Sequence, residues 1–229
     1  MDESPNLSQS VQDYLKAIYA LTRQKATTST SEVAEYLGFS AASVTNMLQK
    51  LAGMQPSLVE YHKRQSVCLS EAGEQAALRI LRRHRLLETF LVKVLNYTWD
   101  EVHEEADRLE HTITGRFEER LAQFLQHPEF DPHGDPIPNQ DLEMPVVQQA
   151  AVSELRVGQG GLVRRVRTSV PEVLRHLADM GIFPGAHLTL QAVDAIEPLY
   201  NVQIGRSAGT CVLGPQLAAM IEVEVIDIL

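Results

Sequence analysis

The chain has 229 residues, a formal net charge of −10 at pH 7 and 44% hydrophobic residues. This length accommodates one to three domains, and the hydrophobic fraction excludes a disordered or fibrous chain. No apolar run approaches the roughly 20 residues of a membrane span, the N-terminus lacks a signal-peptide pattern, and two cysteines are too few for a disulfide framework. These properties predict a soluble cytoplasmic protein without membrane association.

Negative charge is concentrated in one stretch of the chain. Residues 128–160 carry six acidic side chains and one basic side chain, and they include the sequence PEFDPHGDPIP, whose composition predicts loop and linker. The first 127 residues have a net charge of only −3. The acidic overall charge therefore does not exclude DNA binding by the N-terminal part.

Residues 1–73 have the pattern of a winged helix-turn-helix domain. Apolar side chains recur with helical spacing in residues 8–24, Ser29 and Glu32 form a capping box for a short helix, and Ser40 caps the next helix, AASVTNMLQKLAG. Two β-rich pieces, SLVEYH and SVCLS, flank the basic tip of a hairpin, which predicts the wing. We therefore expect this part to bind DNA.

Two long amphipathic helices are predicted next. Ser70 caps a helix with apolar residues through Leu95, and Thr98 begins a second helix that continues to about Leu125. Both helices have more apolar surface than one winged-helix unit can cover. This surplus predicts a homodimer held by a helical domain over residues 74–143.

The C-terminal part changes character. After a linker at residues 144–152, strand-like runs alternate with turn residues around one short helix, EVLRHLADMG. This pattern predicts a small β-barrel over residues 153–229. The expected fold class is mainly α with a small β domain: an N-terminal winged helix-turn-helix, a helical dimerisation domain and a C-terminal barrel.

Carboxylates and imidazoles form a stripe on the two long helices. The residues with this spacing are His103, Asp107, Glu110 and His111 on the second helix, and His84 and Glu88 on the first. Such a stripe among Leu and Val side chains is costly unless a cation neutralises it. Oxygen and nitrogen ligands without thiolate suit Mn²⁺ or Fe²⁺.

A solvated helix face is the alternative interpretation of the stripe. The hydrolytic zinc motif HExxH is absent, so hydrolysis is not predicted. The run Arg82, Arg83 and Arg85 is typical of a solvated helix face, with phosphate binding as its alternative. The remaining histidines of interest are interpreted as surface residues: His62, His127, His133 and His187.

Several motifs together resemble one known family. The most specific pieces are SVQDYLKAIYAL, EVAEYLGFSAASVTNMLQKL, HRLLE, VHEEADRLEH and GDPIP. They resemble the diphtheria toxin repressor family of metal-activated transcriptional repressors, with its iron-dependent and manganese-dependent branches, over essentially the whole chain. The segment LADMGIFPGAHLTL resembles the Src-homology-3-like barrel domain of ferrous-iron-transport A proteins.

The resemblance implies two metal sites. The activating site would consist of Asp13, Asp107, Glu110 and His111. The ancillary site maps to His84, Glu88 and His103, with Glu172 as the nearest carboxylate of the barrel.

Two departures from the family pattern bear on the metal. Asp13 and Asp107 stand where iron-responsive members have Met and Cys, and these harder ligands favour Mn²⁺ over Fe²⁺. Lys16 stands where short manganese regulators have a Glu, so the two-metal cluster of that subgroup is not expected.

The resemblance assigns DNA recognition to the start of the second short helix and to the wing. The residues are Ser40, Ala41, Ala42, Ser43, Thr45, Asn46 and Lys50, with Lys63 and Arg64 on the wing. Small side chains let the helix enter the major groove closely, and the basic side chains are available for phosphates.

The predicted function is a manganese-activated repressor, not an enzyme, that binds operator DNA of metal-uptake genes as a homodimer. A divalent cation shared by Asp13 of the DNA-binding domain and the ligands of the dimer core would hold the two parts at the spacing of successive major grooves, ~34 Å. The alternative is an Fe²⁺-dependent repressor of the same family. A metal-dependent enzyme or a metal carrier is less favoured, because neither explains the winged helix.

Overall fold

The structure is a computed structural model that describes residues 7–23, 25–62, 66–194, 196–205 and 209–226. The chain divides into two compact units, each assembled from three segments. The first unit comprises Met1–His84, Leu109–Arg120 and Pro138–Glu143, and the second comprises Arg85–Arg108, Leu121–Ile137 and Met144–Leu229.

The described residues form helices and strands with the following bounds. The helices are α1 (Gln9–Thr22), α2 (Thr30–Leu37), α3 (Ala41–Ala52), α4 (Glu71–Leu95), α5 (Val102–Glu110), α6 (Gly115–Phe124), α7 (Pro171–Asp179) and α8 (Pro215–Met220). The strands are β1 (Val59–His62), β2 (Ser66–Leu69), β3 (Ala150–Ala151), β4 (Gly160–Val166), β5 (His187–Val193), β6 (Tyr200–Ile204), β7 (Thr210–Leu213) and β8 (Ile221–Ile226).

The first unit contains the winged helix-turn-helix, which confirms the prediction for this part of the chain. Helices α1 to α3 precede the antiparallel pair β1–β2, and Thr28 extends this sheet through two backbone hydrogen bonds of 2.8 Å with Val67. Apolar side chains from all of these elements share one core, which includes Leu15, Ile18, Val33, Val44, Leu48, Leu51, Val59 and Val67.

Local capping interactions begin α2 and α3. The Ser29 hydroxyl accepts the backbone N–H of Glu32 at 3.2 Å, and the Glu32 carboxylate accepts the N–H of Ser29 at 2.8 Å. Gly38 follows α2 with a φ of 69°, a left-handed conformation that costs glycine nothing. The Ser40 hydroxyl then accepts the N–H of Ser43 at 3.2 Å and begins α3. The sequence thereby determines the turn between the two helices.

The second long helix is interrupted, so the prediction of a continuous helix to about Leu125 is wrong. Residues 111–114, with the sequence HTIT, separate α5 from α6. The Thr112 hydroxyl donates to the backbone carbonyl three residues earlier at 2.8 Å, and the Thr114 hydroxyl accepts the N–H of Phe117 at 3.3 Å. Threonine hydroxyls compete with the helical backbone bonds in this way, which favours helix ends over helix interiors.

The second unit contains the small β domain, and this confirms the predicted fold class. Its six strands form one antiparallel sheet in the order β3-β8-β4-β5-β6-β7. Strand β3 lies within the segment expected to be a linker, and α8 was not predicted although Pro215 at its first position is typical of a helix start. The core contains Val163, Leu174, Leu177, Ile182, Leu188, Leu190, Val202, Leu213, Ile221 and Val223.

The Pro- and Asp-rich segment after α6 is part of a folded core, which corrects its interpretation as loop and linker outside any core. Asp131, His133 and Ile137 are buried. Gly134 has a φ of 82°, and a Cβ at this position would lie 1.6 Å from the carbonyl oxygen of Arg164. The segment therefore packs closely against the sheet of the second unit, and composition alone did not indicate this.

We expect Ser29→Ala to lower the free energy of unfolding by about 1 kcal/mol, because the variant loses the accepting side chain of the α2 capping box. Chemical denaturation of the full chain measures the change. Ser8→Ala is the matched control, since Ser8 occupies the N-cap position of α1 without a side-chain cap hydrogen bond. An equal loss of unfolding free energy in Ser29→Ala and Ser8→Ala would contradict the stabilising role of the α2 capping box.

Candidate metal centre and DNA-binding surface

In the first unit, α1 presents a polar face to the residues that follow α5. The Nε2 atom of His111 lies 3.5 Å from Oδ1 of Asp13. Nδ1 of His111 lies 3.0 Å from Oε1 of Gln12, whose amide nitrogen donates to the carbonyl of Leu7 at 2.8 Å. Because an amide oxygen only accepts, Nδ1 of His111 carries a proton and donates it to Gln12. In the neutral imidazole, the lone pair of Nε2 then faces Asp13, which is the orientation that a metal ligand needs.

Glu110 is the most buried acidic group of this site, with an exposed side-chain fraction of 0%. Its Oε1 atom lies 2.8 Å from Nζ of Lys16 and 3.6 Å from Nε2 of His111. Its Oε2 atom lies 2.6 Å from Nδ1 of His84. The structure thus brings Asp13, Glu110 and His111 together, and it adds His84 and Lys16 around the same carboxylate.

Asp107 lies on α5, three residues before Glu110 and four before His111. The spacing to Glu110 is about one turn of α5. It belongs to the second unit, where its Oδ2 atom lies 3.8 Å from Nε2 of His103, and its side chain is 45% exposed. This partly exposed carboxylate is accessible to a cation.

In the second unit, Glu88 is buried and both of its oxygens face imidazoles. Oε1 lies 3.0 Å from Nδ1 of His103, and Oε2 lies 3.7 Å from Nδ1 of His133. His84 precedes Glu88 by one turn of α4. Glu172 is different, because its side chain is 76% exposed and its carboxylate accepts a hydrogen bond of 3.1 Å from Arg175.

His133 is buried, so its interpretation as a surface residue is wrong. Its Nε2 atom donates to the carbonyl oxygen of Trp99 at 2.6 Å, and its ring stacks on the Trp99 indole. Burial lowers the pKa of His133, but the carboxylate of Glu88, the charge of Asp131 and the Trp99 carbonyl outweigh burial and raise this pKa to about 9. His133 is therefore a cation at neutral pH that neutralises buried acid. His62, His127 and His187 are exposed, as predicted.

Asp131 completes the buried network around His133. Its Oδ1 atom accepts the backbone N–H groups of His133 at 2.8 Å and of Asp135 at 2.9 Å. Burial raises the pKa of Asp131 well above its ordinary value, and the neighbouring carboxylates of Glu88 and Asp135 raise it further. Sequence spacing did not indicate this network, because its members lie far apart in the chain.

The arginine run on α4 contains buried ion pairs, and its interpretation as a solvated helix face is wrong. Arg82 and Arg83 both donate to the carboxylate of Glu118, at 3.0 Å and 2.8 Å, and Arg82 also donates to the carbonyl of Pro138 at 2.6 Å. Arg85 is buried in the second unit, and its Nε atom lies 3.8 Å from Oδ2 of Asp131. Arg82 and Arg85 are buried, the Arg83 side chain is 15% exposed, and all three guanidinium groups pair with carboxylates of the same chain.

The donor set around Asp13 fits a hard or borderline divalent cation. Asp13 and Glu110 supply carboxylate oxygens, and His111 supplies an imidazole nitrogen whose lone pair is oriented by Gln12. Cys68 and Cys211 lie on β2 and β7. An oxygen and nitrogen set without sulfur suits Mn²⁺ or Fe²⁺.

The solvent face of α3 forms the candidate DNA-binding surface. Its exposed residues are Ser40, Ala41, Ala42, Ser43, Asn46 and Lys50. Thr45 is half-buried, and its hydroxyl donates to the carbonyl of Ala41 at 2.8 Å. The wing residues Lys63 and Arg64 lie outside the described residues. Sequence reasoning missed the exposed rings of Tyr36 and Phe39, which immediately precede this surface.

Known families match three consecutive segments of the chain. Residues 6–67 match the model described as "Iron dependent repressor, N-terminal DNA binding domain". Residues 70–139 match "Iron dependent repressor, metal binding and dimerisation domain", and residues 151–225 match the FeoA domain. A curated relative, the iron-dependent repressor IdeR of Mycobacterium tuberculosis, is 30% identical over 191 residues, which cover 78% of this chain and 82% of the relative. The chain belongs to the iron-dependent repressor family.

Solved structures of the family have the same fold. One titled as a manganese-dependent transcriptional repressor in complex with manganese is 38% identical, covers 94% of this chain and 100% of its own, and has a TM-score of 0.86. The manganese regulator SloR is 33% identical, with coverages of 93% and 97% and a TM-score of 0.75. A second curated relative, for which the comparison is of sequence alone, is the HTH-type transcriptional regulator MntR of Bacillus velezensis. It is 30% identical over 122 residues, which cover 53% of this chain and 84% of that protein.

Family membership confirms the predicted class of function. The protein is a metal-dependent transcriptional repressor of a family whose members bind DNA through the N-terminal domain and dimerise through the helical one, and it is not an enzyme. Among the described residues no helix combines the length and the apolar character that crossing a membrane requires.

We expect His133→Gln to lower the free energy of unfolding by about 3 kcal/mol, because the buried carboxylate of Glu88 loses a cationic partner. Denaturation in the presence of a chelator measures this effect without a contribution from metal binding. His127→Gln is the matched control, since His127 is exposed and its replacement should change stability by less than about 0.5 kcal/mol. An unchanged free energy of unfolding in His133→Gln would show that the buried network contributes nothing to stability.

Proposed function

We propose that this protein is a manganese-activated repressor that binds operator DNA of metal-uptake genes as a homodimer. The observation that carries the proposal is the meeting of Asp13 with Glu110 and His111. Asp13 lies on the first helix of the winged helix-turn-helix, Glu110 is the last residue of α5, and His111 follows it. A cation held by these residues acts on the DNA-binding helices directly.

The choice of manganese rests on the ligands. We assign Asp13, Asp107, Glu110 and His111 to the activating site, where three carboxylates and one imidazole favour a harder ion. Structures titled as manganese-dependent repressors resemble this chain at 38% and 33% identity, which supports the same choice. Fe²⁺ is the second candidate, because the iron-dependent repressor IdeR is similar over 78% of the chain.

The coupling to DNA follows from the packing of α1. Its apolar face, which includes Leu15 and Ile18, shares one core with Val44 and Leu48 of α3. A divalent ion supplies positive charge between Asp13 and Glu110. The attraction of both carboxylates to the ion then outweighs their mutual repulsion. Constraining α1 constrains α3 through the shared core. Operator DNA tightens metal binding by the same factor, because the coupling is reciprocal.

We further propose that a second, ancillary ion is held by His84, Glu88 and His103. Glu88 and His103 already lie in contact, and the helical spacing of His84 and Glu88 supports the set. Glu172 would join these ligands only after its carboxylate leaves Arg175. The proposed DNA contacts are those of the α3 surface and of Lys63 and Arg64 on the wing.

We propose the domain division that the sequence predicts. The domains are 1–73 for DNA binding, 74–143 for metal binding and dimerisation, 144–152 for the linker and 153–229 for the β domain. The family matches at 6–67, 70–139 and 151–225 support them.

We also propose that the protein acts in the cytoplasm, where chromosomal DNA lies.

Titration with Mn²⁺, anaerobic Fe²⁺ and Zn²⁺ against a randomised pool of labelled duplex DNA tests the proposed metal. We expect Mn²⁺ to activate binding at a concentration equal to or lower than that of Fe²⁺. Asp13→Ala should raise the required Mn²⁺ concentration by about tenfold or more, because a ligand of the activating site is lost. Asp141→Ala, which removes an exposed carboxylate of the same unit, is the control.

The outcomes of this titration separate the candidates. Activation by Fe²⁺ alone would overturn the manganese assignment and favour the iron-dependent alternative. DNA binding without any ion, or an unchanged dose-response in Asp13→Ala, would contradict activation through α1.

The α3 surface generates a separate prediction. Lys50→Ala should weaken binding uniformly across DNA sequences and reduce the salt slope by about one, because one phosphate contact is lost. Asn46→Ala should instead change the preferred base at one position. Lys93→Ala removes an exposed lysine from α4 and should leave DNA binding unchanged. Identical salt slopes for Lys50→Ala and Lys93→Ala would exclude Lys50 from the interface.

A further inference from the structure

Lys16 places a positive charge at the carboxylate of Glu110. Its ammonium nitrogen lies 2.8 Å from Oε1 of Glu110, and the two residues are 94 positions apart in the chain. Glu110 is completely buried, whereas the Lys16 side chain is 20% exposed. The contact is therefore a direct ion pair that reaches from the edge of the site to its most buried oxygen donor.

Both oxygens of Glu110 are engaged by this arrangement. Oε2 lies 2.6 Å from Nδ1 of His84, and Oε1 has the Lys16 ammonium at hydrogen-bond distance. Oε1 is also the oxygen on the side of His111, whose Nε2 atom lies 3.6 Å away. A divalent ion that uses Oε1 together with Nε2 of His111 must compete with the ammonium for the same carboxylate oxygen.

The electrostatics of the site make this competition costly for the ion. In the first unit, Asp13 and Glu110 contribute two negative charges to the site, and Lys16 cancels one of them. A divalent ion beside the ammonium experiences repulsion, and this repulsion is weakly screened because Glu110 lies out of water. The ammonium of a lysine is a compact charge on a flexible stem, and the partial exposure of Lys16 leaves it a path toward solvent.

We propose that Lys16 is a tethered counter-cation that competes with the activating metal for Glu110 and thereby sets the metal concentration at which the repressor responds. This inference rests on the proposed function, since it requires Glu110 to be a metal ligand. The ion pair keeps Glu110 neutralised at low metal concentration. At higher concentration the ammonium moves toward solvent and the carboxylate oxygen passes to the ion.

Lys16→Met tests the proposal, because it keeps a side chain of similar length and removes the charge. We expect its dissociation constant for Mn²⁺ to fall by about tenfold or more relative to the wild-type chain. Lys16→Arg keeps the charge and should bind Mn²⁺ about as weakly as the wild type. Affinity is measured on the full chain without DNA, by competition with a fluorescent chelator and by the electron paramagnetic resonance signal of free Mn²⁺.

Lys25→Met is the matched control. Lys25 belongs to the same unit and pairs with the carboxylate of Glu32, but this pair is exposed and lies on the capping box of α2. Its loss removes the same charge from the chain and should leave the Mn²⁺ affinity unchanged. An equal gain in Lys16→Met and Lys25→Met would show a general charge effect and overturn the proposal.

Thermal unfolding separates competition from a structural role. With a chelator present, Lys16→Met should unfold at a lower temperature than the wild type, because Glu110 loses a buried partner. With saturating Mn²⁺, the same variant should show a larger upward shift than the wild type. A variant that is less stable and also binds Mn²⁺ no more tightly would show that Lys16 is only structural.

The wild type and Asp13→Ala distinguish a failure of this inference from a failure of the proposed function. One outcome is that the wild type binds Mn²⁺, Asp13→Ala weakens this binding and Lys16→Met does not tighten it. The counter-cation proposal for Lys16 is then wrong, and the proposed activating site stands. If the wild type does not bind Mn²⁺, or Asp13→Ala binds as the wild type does, both are overturned.

Discussion

The completely buried carboxylate of Glu110 is the constraint around which the first unit is organised. A buried charge is tolerated only where cations or hydrogen-bond donors compensate its lost hydration. Lys16 of α1 and His84 of α4 provide this compensation, and His111 lies on the same side. One carboxylate at the end of α5 thereby connects the first helix of the DNA-binding domain with the long helix that follows the wing.

In the proposed function, the two faces of α1 connect the metal site with the DNA-binding surface. Its apolar face shares a core with α3, and its polar face carries Gln12, Asp13 and Lys16 toward Glu110 and His111. Gln12 orients the imidazole of His111. Our proposals assign Asp13 the role of an oxygen ligand and Lys16 that of a competing charge. A change of charge at the site therefore acts on α1. Helix α1 cannot move without disturbing the core that it shares with α3.

Several acidic side chains of the second unit are paired inside the fold. Asp131 and Asp135 of the Pro-rich segment face the guanidinium groups of Arg85 and Arg165, and Glu88 faces His133. Three acidic side chains of this unit are thus paired with arginine or histidine inside the fold. The same pairing withdraws Arg85 from solvent.

The sequence by itself determined the features that depend on neighbours a few residues apart. The capping residues Ser29 and Ser40, the helical spacing of the metal stripe and the alternation of the C-terminal strands are such features, and together with the family motifs they predicted the fold class and the class of function. The tertiary structure alone decided which charges are buried and what they meet: the Lys16–Glu110 pair, the orientation of His111 by Gln12, the burial of His133, and the packing of the acidic segment. These contacts join residues up to 99 positions apart, and no local pattern encodes them because burial and pairing depend on how the whole chain packs.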